Sequence, residues 1–257
     1  MSDLGSKDYP QTAAARGRVE PAPRRVRGYL GTELVFDTTA ARYVWEIPSY
    51  PQYYIPRSDV RLQFLVDEDH PQKVQFGPSR TFSLVGAGQT HEAAARVFDP
   101  GDGPVAGLVR FDWKWLTWFE EDEPIYGHPR NPYARVDALR SHRHVEVALD
   151  GVTLADTHDP VLLFETGLPT RYYIDKTDIA FEHLEPSDTQ TLCPYKGVTS
   201  EYWSVRVGDQ LHPDLAWTYH YPLPAVAPIA GTVAFYNEKL DITVDGVRLE
   251  RPQSPFS

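Results

Sequence analysis

The chain has 257 residues, 41% of them hydrophobic, which excludes a wholly disordered chain and suits one large domain or two small ones. A net charge of −11 at pH 7 argues against nucleic acid as a partner, because phosphate binding needs a basic surface. Cys193 is the only cysteine, which excludes an internal disulfide and any multi-cysteine zinc site. We therefore expect a cytoplasmic protein, because the sequence has a single cysteine, no secretory signal and no apolar run long enough for a membrane span.

Residues 1–24 are polar, rich in Gly, Ala and Pro, and lack hydrophobic periodicity, which predicts a disordered tail. Arginines give this tail and its junction a local positive charge: Arg16, Arg18, Arg24, Arg25 and Arg27. We interpret them as solvated charges, and binding of an anionic partner is the alternative.

An internal repeat dominates the rest of the chain. Val44–Glu46 and Tyr53–Ile55 recur as Leu163–Glu165 and Tyr172–Ile174, each 119 residues later. Asp37 and Asp59–Val60 recur at the same offset, and Ala106–Phe111 recurs as Ala230–Phe235 at an offset of 124. The same motifs in the same order indicate duplication and therefore two similar domains. We predict repeat one at residues 25–112, an ordered connector at 113–141, repeat two at 142–251 and a second short tail at 252–257.

Strands with a two-residue hydrophobic period are predicted throughout the repeats. Short helices are predicted only at Thr90–Arg96 and Ala225–Ala230. Asp150-Gly151 and Asp245-Gly246 are predicted hairpin turns, because these residue types tolerate a positive φ. The predicted strands of repeat two are His144–Leu149, Val152–Ala155, Val161–Glu165, Tyr172–Ile174, Ile179–Leu184, Tyr202–Val207, Leu215–Tyr221, Thr232–Tyr236 and Ile242–Val244. The expected fold class is mainly β, with each copy a small barrel or two layered sheets.

The predicted connector opens with Trp113, Trp115 and Trp118 and continues into an acidic run. Its prolines and aromatic residues favour an extended, ordered segment that packs against a domain. His128 and Arg130 are candidates to close over a binding site, and simple packing of the connector is the alternative.

Repeat two carries several motifs in a fixed order: Asp150–Val152, Leu163–Glu165, Tyr172–Ile174, Thr191–Gly197, Tyr202–Val205, Leu215–Tyr219 and Ala234–Glu238. With them, residues 142–251 resemble the bacterial domain-of-unknown-function 427 family, and about 25–251 resemble its two-domain members. The resemblance implies the β-tent fold, which also occurs in cereblon-like ligand domains and methionine sulfoxide reductase B. Many β-tent relatives bind zinc through paired cysteines, which this chain lacks. The family is also called nucleotidyltransferase-like, but such enzymes need a Gly-Ser turn with two metal-binding carboxylates, and Gly5-Ser6 lies in the predicted tail.

Repeat one departs from these motifs. It has Gly77–Arg80 where we match Cys193–Gly197 of repeat two, and Ala93–Ala95 where repeat two has Trp217 and Tyr219. We therefore interpret repeat one as a degenerate copy that serves as a structural partner or lid, and we place the working site in repeat two.

The candidate catalytic residues of repeat two are Glu165, Tyr173, Cys193 and Lys196. Glu165 ends an apolar strand and suits acid–base chemistry, and an ion pair with an arginine such as Arg171 is the alternative. Lys196 is expected to neutralise an anionic group and to activate the Cys193 thiol as a nucleophile, with a solvated charge and a buried structural thiol as the alternatives.

The candidate substrate-binding residues are Tyr172, Trp203, Trp217, Tyr219, Tyr236 and Asn237, joined by His128 and Arg130. Alternation along the strand places Trp217 and Tyr219 on one face, where the rings line a pocket or belong to the core. His142 and His144 also share a face, but no third ligand is evident, so no metal site and no cofactor are predicted.

These residues favour a small-molecule-binding protein, expected to be a metal-independent enzyme that acts on a small polar or anionic metabolite. A non-catalytic binding or sensing module and a structural or interaction protein are the alternatives. The expected partner is a small molecule, and we expect no binding to nucleic acid or membranes. The sequence leaves formation of a homo-oligomer open.

Overall fold

A computed structural model describes residues 15–256, which form two units divided between Asn131 and Pro132. Both units consist mainly of antiparallel β-sheets, so the prediction of a mainly β chain with two tandem domains is confirmed. No helix within residues 15–256 has the length and apolar character that a membrane span requires. The helical turns of the described part are 3₁₀ segments at Arg57–Asp59, Leu62–Phe64, Trp113–Trp115, Lys176–Asp178, Phe181–His183 and Pro224–Ile229.

The N-terminal unit contains a seven-stranded and a four-stranded sheet. Its strands are β1 (Val19–Pro21), β2 (Val26–Leu30), β3 (Glu33–Thr38), β4 (Arg42–Val44), β5 (Gln52–Pro56), β6 (Leu65–Val74), β7 (Gly77–Gly86), β8 (Gln89–Phe98), β9 (Leu108–Phe111), β10 (Thr117–Glu120) and β11 (Glu123–Ile125). The larger sheet has the order β1-β4-β5-β9-β8-β7-β6, and the smaller has the order β11-β10-β2-β3.

The C-terminal unit repeats this arrangement and adds a two-stranded hairpin. Its strands are β12 (Val136–Arg140), β13 (Val145–Leu149), β14 (Val152–Thr157), β15 (Val161–Glu165), β16 (Arg171–Ile174), β17 (Leu184–Ser187), β18 (Leu192–Cys193), β19 (Gly197–Val198), β20 (Glu201–Val207), β21 (Gln210–Thr218), β22 (Val233–Phe235), β23 (Asp241–Val244) and β24 (Val247–Arg248). The larger sheet has the order β12-β15-β16-β22-β21-β20-β17, the smaller has the order β14-β13-β23-β24, and β18 pairs with β19.

The duplication extends to individual hydrogen bonds. Thr38 donates its hydroxyl to Asp59 at 2.6 Å, and Thr157 donates to Asp178 at 2.6 Å, 119 residues further on. Both units have a β-bulge next to a left-handed residue, Ala93 (φ 51°) in one and Asp214 (φ 54°) in the other. Such irregular backbone is retained only where the surrounding fold specifies it, which supports common descent of the two units.

The core of each unit lies between its two sheets. In the C-terminal unit this core joins Val145 and Ile242 of the smaller sheet to Ile174 and Trp203 of the larger sheet. Alternate residues of the larger sheet point to its other face, where they form a second buried cluster with the 3₁₀ segment Pro224–Ile229. This second cluster contains three of the predicted site residues, Tyr173, Trp217 and Tyr219, and Tyr236 packs against it.

The prediction of a disordered tail over residues 1–24 is wrong for its described part, and residues 1–14 lie outside the described residues. Val19–Pro21 forms β1, which pairs with β4 at the edge of the larger sheet. The arginines next to it pair with carboxylates of their own unit, as in Arg24–Glu120 at 2.6 Å and Arg27–Asp122 at 2.7 Å. Arg24 and Arg27 are therefore neutralised by carboxylates of the same unit and do not need the anionic partner considered as the alternative.

Residues 113–141 are not a connector throughout. Thr117–Ile125 forms the β10–β11 hairpin, and β10 pairs with β2 to build the smaller sheet of the N-terminal unit. Trp118 is 2% exposed in this core, which confirms that the tryptophan-rich segment packs against a domain. Val136–Arg140 forms β12, the edge strand of the larger C-terminal sheet.

Local predictions succeed at the turns and fail where sheet pairing overrides propensity. Asp150 and Gly151 (φ 50° and 82°) connect β13 to β14, and Asp245 and Gly246 (φ 51° and 78°) connect β23 to β24. The predicted helix at Thr90–Arg96 is wrong because this segment belongs to β8, which pairs with β7 and β9 on either side. The predicted strand at Ile179–Leu184 is wrong, because Ile179 forms only an isolated bridge, Phe181–His183 is a 3₁₀ segment, and β17 starts at Leu184.

Candidate functional site

An ion pair between Glu165 and Lys196 forms the centre of the candidate site. Glu165 is the last residue of β15, and Lys196 lies in the turn between β18 and β19, where Gly197 (φ 99°) supplies a left-handed conformation. Lys196 Nζ lies 2.5 Å from Glu165 Oε2, and the two side chains are only 11% and 9% exposed. Lys196 is therefore not a solvated charge, and Glu165 does not pair with Arg171.

Phenols and the single thiol surround this ion pair. Tyr173 is fully buried, and Trp217 Nε1 donates a hydrogen bond to its hydroxyl at 3.3 Å. Burial raises the pKa of Tyr173 to about 12, although the Lys196 ammonium acts in the opposite direction. Burial likewise raises the pKa of Tyr219, and the Lys196 ammonium again acts in the opposite direction. The four candidate catalytic residues are thus neighbours in the structure.

The electrostatics keep Lys196 charged and the two phenols neutral at neutral pH. Burial opposes the charge on Lys196, but the Glu165 carboxylate holds its pKa well above the usual range. Lys196 therefore remains an ammonium that donates hydrogen bonds and does not act as a nucleophile or base. Tyr173 and Tyr219 remain neutral hydroxyls, and Cys193 is a partly exposed free thiol.

An aromatic wall adjoins the cluster on the same face of the sheet. The ring centroids of Trp217 and Tyr236 lie 4.4 Å apart, and those of Tyr202 and Trp217 lie 6.0 Å apart. The hydroxyls of Tyr202 and Tyr236 are hydrogen-bonded at 2.9 Å. This wall includes Tyr202, which the sequence analysis did not select although it follows the same alternation as Trp217.

Two predicted binding residues lie on the other face of the sheet. Tyr172 and Trp203 pack into the core between the two sheets of the C-terminal unit. Each directly neighbours a residue of the second cluster, Tyr173 and Tyr202, and successive strand residues point to opposite faces. The structure therefore separates Tyr172 and Trp203 from the wall formed by Trp217.

Arg171, which the sequence suggested only as an alternative partner for Glu165, is the centre of a buried polar network. Its guanidinium binds Glu238 through two nitrogens at 2.5 and 2.6 Å, and its side chain is 8% exposed. Asn237, a predicted binding residue, accepts a hydrogen bond from Arg171 and donates to Thr170 O at 3.1 Å. The predicted C-terminal tail takes part as well, because Ser254 donates to Glu238. Asn237 is thus engaged in this network.

His128 and Arg130 belong to the N-terminal unit. The ring of His128 stacks on Tyr50 with a centroid distance of 3.8 Å, and its Nδ1 lies 2.8 Å from Pro129 O. These contacts correspond to the alternative in which the segment is simply packed.

Within residues 15–256, one group of side chains has the spacing of metal ligands: His144, Glu146 and Asp156. His144 Nε2 lies 2.6 Å from Asp156 and 3.9 Å from Glu146 on the outer face of the smaller sheet. The N-terminal unit has Arg25 and Asp37 at the equivalent positions of His144 and Asp156, and they form an ion pair. An arginine in the equivalent position favours a cross-strand charge pair over a metal site.

The register of the strands changes the alignment of the two repeats around the site. Arg96 faces Thr81 across β7 and β8, as Trp217 faces Tyr202 across β20 and β21. Trp217 therefore corresponds to Arg96, at an offset of 121, and not to the alanines Ala93–Ala95. The sequence contains a sign of this alignment, because His91 and His212 lie next to the equivalent bulges and are also 121 residues apart.

The comparisons with known proteins agree with this duplication. The family described as Domain of unknown function (DUF427) matches residues 18–114 and 137–246. A comparison with proteins of curated function finds no match. Since the matched segments cover more than half of the chain and one falls in each unit, the chain belongs to this family and contains its domain twice.

Proposed function

We propose that the C-terminal unit binds a small polar or anionic metabolite at the cluster formed by Glu165, Tyr173, Cys193, Lys196 and Tyr219. The observation that supports this most strongly is the nearly buried Glu165–Lys196 pair. Replacing a buried ion pair with apolar side chains is often neutral or stabilising, so stability alone does not explain such a pair. Clusters with strongly shifted pKa values are also concentrated at functional sites.

The chemistry of the cluster suggests how the ligand is recognised. The Lys196 ammonium and the neutral hydroxyls of Tyr173 and Tyr219 are donors for a ligand oxygen that carries negative charge. Glu165 is an acceptor for a ligand hydroxyl or amine. The rings of Trp217 and Tyr236 offer an apolar surface for the remainder of the molecule.

Native mass spectrometry after exposure to a metabolite extract tests this proposal. We expect the wild type to retain a small molecule that Lys196→Gln loses, because the substitution removes the charged donor. Lys176→Gln is the matched control: Lys176 forms an ion pair with Glu201 at 2.8 Å in the same unit, but its side chain is 38% exposed. Equal retention by Lys196→Gln and the wild type contradicts the proposed site.

Catalysis is the second candidate function. It is favoured by the partly exposed Cys193 thiol beside an ammonium that stays charged, an arrangement that suits a cysteine nucleophile. If the bound molecule is a substrate, wild-type protein converts it and Cys193→Ala retains it unchanged. Conversion at the wild-type rate by Cys193→Ala would rule out a role for the thiol.

We also propose a cytoplasmic location, since the only cysteine is a free thiol with partial exposure. A maleimide that cannot cross membranes is expected to label Cys193 only after cell lysis. Labelling of intact cells would place the protein outside the cytoplasm.

A further inference from the structure

A concave surface depression lies in the N-terminal unit at Glu46, the position equivalent to Glu165. The depression has a volume of about 260 Å³. Its polar lining consists of Glu46, Gln72, Thr81, Arg96 and Arg110, and the segment Ala93–Ala95 forms one wall.

This depression exists because two large side chains of the C-terminal unit have been replaced. Thr81 occupies the position of Tyr202, and Arg96 occupies the position of Trp217. In the C-terminal unit the two rings stack against each other. The short Thr81 side chain leaves that space open, so the copy interpreted as degenerate has acquired a cavity of its own.

Unpartnered polar atoms mark this depression as a binding site. Thr81 Oγ1 and Arg96 Nε are both buried and have no hydrogen-bond partner within residues 15–256. Thr81 is only 7% exposed. Buried polar groups are nearly always paired, so two unpaired ones beside a single cavity indicate that a ligand supplies the missing partner.

The charges of the lining indicate the class of ligand. Arg110 Nε lies 3.2 Å from Glu46 Oε1, and Tyr54 donates to the same oxygen at 3.1 Å. This pair is neutral overall, whereas the guanidinium of Arg96 donates to the uncharged Gln72 at 3.1 Å and has no carboxylate partner within residues 15–256. The lining thus carries one uncompensated positive charge on a planar guanidinium, which suits a carboxylate with a single negative charge.

We propose that the N-terminal unit binds a small organic carboxylate in this depression, with Arg96 as its ionic partner and Thr81 as a hydroxyl donor. Pockets for drug-sized ligands occupy about 300–1,000 Å³, so the ligand here is a short-chain acid. The site is separate from the Lys196 cluster and does not depend on the function proposed for that cluster.

Titration of the isotope-labelled full chain with propionate, followed by amide chemical shifts, tests the proposal. We expect saturable shifts at Ala93–Arg96 in the wild type and binding at least about tenfold weaker in Arg96→Gln, because a charge-assisted hydrogen bond is lost. Arg80→Gln removes the same charge from the adjacent strand β7, where Arg80 is exposed and pairs with Asp67, and it should bind like the wild type. Unchanged binding in Arg96→Gln, or no saturable shifts in the wild type up to tens of millimolar, overturns the proposal.

Two further variants keep the test decisive if Arg96→Gln does not fold. Thr81→Val keeps the shape of the side chain but removes the unpaired hydroxyl, so it should raise the melting temperature of the free protein and weaken propionate binding. Thr81→Tyr restores the residue of the other unit and should abolish binding by filling the cavity. Inorganic phosphate, used in parallel, should bind more weakly than propionate, and tighter phosphate binding overturns the assignment to a carboxylate.

Discussion

Lys196, Glu165, Tyr173 and Cys193 meet although they come from three separate segments of the C-terminal unit. All four can be selected from the sequence, since each lies in a motif with an unusual polar residue at a strand or turn. The contact between Glu165 and Lys196 was not predicted, because the two residues are 31 positions apart and carry no local signal for it. Removing one member of such a pair leaves a buried charge, so the partners are expected to depend on each other.

Tyr173 provides a test of the electrostatics through the pH dependence of stability. Its pKa of about 12 in the folded state lies above the ordinary value near 10, so folding favours the protonated hydroxyl. This contribution is present below a pH of about 10 and is lost as the pH rises through about 12. We therefore expect the difference in unfolding free energy between the wild type and Tyr173→Phe to narrow across this range, as measured by urea denaturation.

The control for this measurement is Tyr221→Phe, because the Tyr221 side chain is 90% exposed. Its unfolding free energy should follow the wild type at every pH. A difference between the wild type and Tyr173→Phe that stays constant from neutral to alkaline pH would contradict the assignment.

Among the structural elements, the largest surprises are short strands at sheet edges. β1 and β12 pair with β4 and β15 at equivalent edges, yet the sequence analysis assigned one to a tail and the other to a connector. A strand such as Val19–Pro21 is too short to show a periodicity, and its proline is tolerated because it lies at an edge. The β10–β11 hairpin was missed because its motif, unlike Asp245-Gly246, has two acidic residues at the turn.

Trp118 tests whether β10 is an integral part of the N-terminal core. Its ring centroid lies 4.5 Å from that of Trp113 and 5.2 Å from that of Phe36. We expect Trp118→Ala to lower the unfolding free energy of this unit by about 3–5 kcal/mol, as is usual for truncation of a large buried ring. The measurement is urea denaturation of the full chain.

Trp115→Ala is the matched control for this prediction. Trp115 is only partly buried and stacks on His91 at a centroid distance of 3.9 Å. Its truncation should therefore cost clearly less than that of Trp118. Equal costs for the two substitutions would contradict an integral role for β10.

At the level of the whole molecule, duplication has produced two units with the same sheet order but different polar centres. The C-terminal unit pairs Glu165 with a lysine from an added hairpin, whereas the N-terminal unit pairs Glu46 with Arg110 of β9. Rings fill the space beside the first pair, and the space beside the second is open. The copies have therefore diverged in the side chains at this position while keeping the same order of strands.

The position of the domain boundary can be tested with fragments of the chain. We expect residues 1–131 to unfold cooperatively on heating, because this fragment includes the β10–β11 hairpin that completes the smaller sheet. Residues 1–112, the end predicted from sequence, should lack a cooperative transition and bind a hydrophobic dye, because the apolar surface beside β2 is uncovered. Identical melting of the two fragments, followed by circular dichroism, would show that the hairpin is dispensable.

The sequence by itself determined the class of fold, the duplication, the tight turns and the identity of the polar residues around Lys196. These features depend on local chemistry: two-residue periodicity, dipeptides that tolerate positive φ, and motifs repeated at a fixed offset. Only the tertiary structure decided which charges pair, which face of a strand is apolar core, and that Thr81 and Arg96 open a cavity in the first copy. Insertions change the offset between the repeats from 119 to 121 and then to 124. Equivalent residues can therefore be matched only through the hydrogen-bonded register of neighbouring strands, because a one-residue shift moves every side chain to the opposite face.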